Sequence, residues 1–161
     1  MNSVLLKIAD AVAAELAAAP SGTFSQPFTP ARKPLPRFTT EELATLRVTV
    51  VPKSNVSERI GRGLVQTDYA VDVAVMKYVA PAADGTVDQT EADKIVALGE
   101  EIEDFFTLRH LSGLTDIDAL WVAAAWNPSG APYAVELLET KSVMAAILTL
   151  TFRVMARKEE G

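Results

Sequence analysis

The chain has 161 residues, 49% of them hydrophobic, with no cysteine, one histidine and a formal net charge of -6. That length fits one domain, and that apolar content can build a core without metal or disulfide staples. The missing cysteines exclude disulfides and thiolate metal sites, and the single histidine, His110, leaves the commonest general base and metal ligand nearly absent.

Met1–Pro20 is rich in alanine, but Lys7, Asp10 and Glu15 interrupt its apolar residues, so it lacks the pattern of a secretory leader. No run is long enough to span a membrane, and we expect a soluble protein made in a cytoplasm, with no membrane partner. Ser3–Ala19 reads as a helix: Val4 or Leu5, Ile8, Val12 and Leu16 recur at helical spacing, with Asn2 or Ser3 as the cap. Five prolines from Pro20 to Pro36 then remove ladder donors and disfavour helix, which predicts an extended edge segment or arm over residues 20–38, anchored by Phe24, Phe28 and Phe38. Thr39-Thr40-Glu41-Glu42-Leu43 has the cap-and-acid pattern of one helical turn.

Arg47–Val51 is a strand closed by Pro52, and Thr67–Val79 is a second, in which Tyr69, Val71, Val73 and Val75 alternate with Asp68, Ala70, Asp72, Ala74 and Met76. The polar stretch 53–66 between them predicts a long projecting loop with Gly61 and Gly63 as hinges. Gly61-Arg62-Gly63 lacks the Lys-Ser or Lys-Thr and the following helix that a phosphate loop needs.

Asp88–Leu111 is the second predicted helix, with Thr90 and Asp93 as a capping box and His110 beside Arg109 in its last turn. Ile95, Leu98, Ile102, Phe105 or Phe106 and Arg109 form its stripe, while Glu100, Glu101, Glu103 and Asp104 fall mainly on the opposite, solvated side. Ala119–Trp126 reads as a strand; Trp121 and Trp126, five apart, fall on opposite faces of a regular strand, one for the core and one for a subunit contact. A second long loop, 127–140, contains Tyr133, and Ser142–Arg157 is the last strand, with Leu148, Leu150, Phe152 and Val154 on one face. The order predicts a single α+β domain, 1–161: one mostly antiparallel sheet of about four strands packed against two helices, with long projecting loops.

Charge is unevenly spread along this order. Asp84 to Asp118 holds ten acidic side chains against Lys94 and Arg109, a local net of -8; the remaining 13 basic and 11 acidic residues give +2. Arg32, Lys33 and Arg37 form one basic group, and Lys53, Arg59 and Arg62 another. Basic arms and an acidic helix on one chain suit pairing between copies, whereas nucleic acid calls for a larger basic surface. The candidate contact residues are therefore Arg32, Lys33, Arg37, Lys53, Arg59, Gly61, Arg62 and Gly63 on the arms, Glu100 and Asp104 on the helix, and Trp126 and Tyr133. No catalytic, cofactor or metal residue is expected, and the chain is not expected to be an enzyme.

Several runs resemble a protein encoded among the tail genes of tailed bacteriophages and prophages. They are Pro27-Phe28-Thr29, Leu35-Pro36-Arg37-Phe38, Glu41-Glu42-Leu43, Leu46 to Lys53, Asp68 to Val75, Glu101 to Phe106 and Leu148 to Arg153. The element order is similar to that of lambda-type tail terminators, small α+β proteins that form a hexameric ring capping the finished tail tube and joining it to the head. The resemblance rests on framework residues across most of the chain. It implies a homohexameric virion protein with the tail tube protein and a head–tail connector or stopper as partners, genomic DNA passing the lumen without specific binding, and assembly in the host cytoplasm. The rival readings are a connector or stopper ring of the neck, a small hydrolase or nucleotide-binding enzyme, and a monomeric binding module.

Overall fold

Val71, Val73 and Val75 are 0%, 0% and 2% exposed, and their period of two sets the middle strand of a five-stranded sheet. The computed structural model describes residues 3–81, 83–127 and 133–158. In chain order it comprises α1 (Val4–Ala18), β1 (Pro30–Arg32), a 3-10 turn (Glu42–Ala44), β2 (Arg47–Gly61), β3 (Leu64–Tyr78), α2 (Gln89–Phe106), β4 (Leu120–Asn127), α3 (Val135–Lys141) and β5 (Val143–Arg157). The strands lie in the order β1-β2-β3-β5-β4; β1 runs parallel to β2 and every other pair is antiparallel. The expected α+β sheet-and-helix architecture holds, with one strand and one helix more than predicted.

One face of the sheet carries the main core. Val48 and Val50 from β2, the β3 valines, and Met144, Ala146, Leu148, Leu150 and Phe152 from β5 meet Ile8, Val12 and Leu16 of α1 and Ile95, Leu98, Ile102 and Phe106 of α2. Both helices begin at side-chain caps: Ser3 accepts from the Leu6 amide at 3.3 Å, and Asp88 accepts from Glu91 at 3.3 Å. Asp88 thus takes the role expected of Thr90, which lies inside α2. On the opposite face, Leu43, Ala74, Met76, Val143 and Ala145 form a smaller cluster closed by Phe38 and Leu137. The 3-10 turn is held by a reciprocal box, the Thr39 amide donating to Glu42 Oε1 at 3.1 Å and the Glu42 amide to Thr39 Oγ1 at 3.2 Å.

Glu15 ties α1 to the segment after α2. It is 9% exposed and accepts from the Ser112 amide (2.9 Å), Ser112 Oγ (2.7 Å) and Arg109 Nη1 (3.2 Å). Burial pushes its carboxyl pKa up, but the two Ser112 hydrogen bonds and the Arg109 charge outweigh this and hold it below the ordinary 4.5. A depressed folded pKa gives stability that is fully present above 4.5 and is lost as pH falls through the folded value. Glu15→Gln is expected to cost about 2 kcal/mol at neutral pH. Its urea stability should also fall less steeply than the parent's on acidification; equal acid slopes would show that Glu15 does not carry this contribution.

Two expected loops are ordered elements. The stretch 53–66 is the end of a long hairpin: β2 and β3 pair from Arg47↔Met76 to Gly61↔Leu64, with register shifts at Pro52/Ser54 and Arg59/Gly61, leaving Arg62 and Gly63 as the turn. Its polarity misleads because this part of the ribbon projects past the helices, so 53–61 meets water on both faces and shows no apolar row. Pro52 is tolerated because β1 pairs with β2 only at 48–50, leaving β2 an edge strand beyond that point. The stretch 127–140 includes most of α3, ended by Ser142 in a left-handed conformation (φ 55°) whose amide donates to the Leu137 and Leu138 carbonyls; residues 128–132 lie outside the described residues. The proline arm does run along the sheet edge, as β1. The second helix ends at Phe106 rather than Leu111, because Leu108 turns left-handed at φ 61°, and His110 lies beyond it.

The tryptophans correct a further expectation. A bulge at Val122 separates the pairs Trp121↔Phe152 and Ala123↔Thr151, so alternation slips by one and Trp126 pairs with Leu148. Both indoles therefore lie on the helix side of the sheet, packed against the core: Trp121 meets Phe152 edge-on at 5.7 Å, and Trp126 lies beneath Gly99 of α2.

Candidate contact surface

The residues singled out by charge fall into three places. At the sheet edge near α1, Arg32 forms an ion pair with Asp10, and Lys33 sits 4.2 Å above the Phe38 ring while its amide donates to the Val50 carbonyl. The Arg32 cation and the Lys33 amide hold the arm to its own body. Arg37 is exposed on the same segment.

On the hairpin, Lys53 lies 3.7 Å from Asp72 and donates to Thr149 Oγ1 at 3.3 Å, across the sheet face away from the helices. The same face carries a fork in which Arg153 donates to both Asp68 oxygens, at 2.9 and 3.2 Å. The Arg153 hydrogen bond, opposed by partial burial, draws the Asp68 pKa below its ordinary value. These cross-strand pairs fix the register of a ribbon that has little apolar packing of its own. Arg59 Nε donates to the Gly61 carbonyl at 3.3 Å, and Arg62 is exposed in the turn.

Gly63 is a fixed corner. Its φ is +71°, and an added Cβ would stand 3.1 Å from the Lys158 carbonyl oxygen. The Lys158 amide also donates to the Gly63 carbonyl at 2.6 Å, which ties the hairpin turn to the end of β5. Gly61 lies inside β2 without positive φ, so neither glycine is the hinge that the spacing suggested. Beyond the last β4 pair, Leu120↔Arg153, the result is a three-stranded ribbon built from 57–61, 64–67 and 154–157.

The acidic counterpart is α2. Glu100 and Asp104 are exposed, as the helical pattern predicted, whereas Glu101 accepts from the Ser25 amide at 3.0 Å and binds the arm. Arg109 donates to the Phe105 carbonyl at 2.8 Å and stacks 3.7 Å over the Phe105 ring, satisfying a loose carbonyl at the helix end. Tyr133 is half-buried and lines a cleft of about 480 Å³ with Ala92, Val96, Val135 and Leu138. Among the described residues, no group of three or more His, Asp or Glu is placed to hold a metal ion, and no helix is long and apolar enough to cross a membrane.

Charge reasoning missed the apolar surface of this end of the sheet. Leu120 (50% exposed), Val122, Val56 (69%), Ile60 and Met155 all face solvent. The sequence signal was present in Leu120-Trp121-Val122-Ala123-Ala124-Ala125-Trp126, an uncharged strand placed at an edge. No protein-family model and no curated protein matches the chain.

Proposed function

We propose that the chain is a structural protein of a tailed phage particle, a tail terminator whose six copies form a ring that caps the tail tube and joins it to the head. The observation that carries this reading is the three-stranded ribbon standing past both helices, with a basic turn at its tip, on the same molecule as an exposed acidic helix. A body that anchors such a ribbon in its own core, and presents unlike charges at separate places, is suited to head-to-tail association of identical copies. The framework runs quoted from the sequence support the phage assignment, and the tube and connector are the partners it brings. The virion neck is the corresponding location.

Loss of the gene is expected to give tails of uncontrolled length by electron microscopy. Tails of normal length that fail to join heads would instead place the chain in the connector. The double charge reversal Arg59→Glu with Arg62→Glu should lower the assembled fraction at least ~10-fold, a change of about 1.4 kcal/mol. Light scattering of parent and variant at matched concentration reads this directly, and an unchanged assembled fraction would remove the hairpin tip from the contact.

A further inference from the structure

We infer that the ring is closed by sheet extension: the outer edge of β4 in one copy pairs with residues 54–61 of β2 in the next. This deepens the proposed function and rests on its ring reading. β4 ends the sheet, and among the described residues no backbone hydrogen bond runs from its outer side. At the other end of the sheet, β1 covers β2 only at 48–50, so 54–61 is a second open edge. β4 has eight residues, and the open stretch 54–61 has the same number. Edges on opposite sides of one sheet join copies head to tail, which is how a ring grows, whereas β4 meeting β4 stops at a dimer.

The two edges match on both faces. On the side away from the helices, β4 presents Leu120, Ala123 and Ala125, which register with Arg153, Thr151 and Thr149. The β2 edge presents Ser54, Val56 and Glu58 there, in register with Ala70, Asp68 and Gln66, and Val56 is the most exposed of its apolar residues. On the helix side, Asn55, Ser57 and Arg59 register with Tyr69, Thr67 and Val65, a row without an acid. The matching flank of β4 lies beneath α2. Gly99 faces Trp126 and Glu101 reaches back to Ser25, so the helical turn of about 100° per residue sets Glu103 and Glu100 on the flank above the β4 edge. Extension of the sheet thus brings Arg59 of one copy to Glu100 and Glu103 of its neighbour and stacks Val56 against the alanine row. This strand is uncharged and has neither proline nor lysine to keep its free edge apart from another.

The chain has no native cysteine, so cross-linking at introduced ones is clean. Val56 and Ala123 of one chain are separated by three strand spacings, roughly 14 Å, beyond the reach of a bismaleimide chosen to tolerate a slip of two residues, roughly 7 Å. The full-length double variant Val56→Cys with Ala123→Cys is expected to give a ladder of covalent oligomers, and each single variant to stay uncross-linked. Cross-linked dimers from Ala123→Cys alone would show β4 pairing with itself and overturn the inference. A ring by light scattering without a ladder would overturn the inference and leave the ring reading standing; a monomer without a ladder would overturn both. Val122→Lys places a charge on the exposed edge and should cut the assembled fraction at least ~10-fold with the melting temperature unchanged; assembly equal to the parent's would likewise overturn the pairing.

Discussion

The Phe152→Ala variant is expected to unfold about 4 kcal/mol more easily than the parent. Phe152 is 0% exposed, lies on β5 between β3 and β4, and meets the Trp121 ring edge-on at 5.7 Å. Removing its ring leaves a cavity beneath a strand paired on both sides, where collapse is restricted. Met155, three residues on, faces the other side of the sheet and is 49% exposed, so Met155→Ala should change stability by no more than about 0.5 kcal/mol. Urea titration of both variants tests the register of β5, because a slip of one residue exchanges the faces of the whole strand. Comparable losses at the two positions would contradict the register.

Gly99→Val is expected to cost about 3 kcal/mol, although glycine is a poor helix former and its replacement in an open helix face is usually favourable. Gly99 is buried in α2, and an added Cβ would overlap Trp126 Cη2 and stand 3.0 Å from Cζ3. The indole lies between α2 and β4, so it cannot swing away without opening the core. Combining the change with Trp126→Ala should recover part of the loss, giving a coupling of about 1 kcal/mol or more in a double-mutant cycle. Strict additivity in thermal or urea unfolding would mean that α2 does not approach β4 this closely.

These two positions also show which parts of the fold are legible in the sequence. The valine row of β3 and the Leu148-Leu150-Phe152 row of β5 meet helices on one side, so burial imposes a period of two that can be read directly. The Ile8, Val12 and Leu16 stripe of α1 is equally plain. The ribbon past Pro52 imposes no such period, because both of its faces meet water and its order comes from pairing across strands, as between Arg153 and Asp68. The side of Trp126 was hidden by the bulge at Val122, which has no marker residue. Helix α3 has seven residues, too few for a period to declare itself, and depends on an unusual backbone angle at Ser142.

The candidate surface was legible to a similar degree. Sequence charge located the exposed Arg62, Glu100 and Asp104. It could not distinguish them from Arg32, Lys33 and Lys53, which are engaged with Asp10, Phe38 and Asp72 of their own chain. The neutral edge strand β4 carries no charge and so escaped a search based on charge.

Mass measurement of the purified chain by multi-angle light scattering across a range of concentrations tests the ring directly. Ring formation gives a discrete species of several copies, near six times the 17.3 kDa of one chain, with a closed ring in negative-stain images. A single species of 17.3 kDa at every concentration, in the presence and absence of tail tubes, would contradict it.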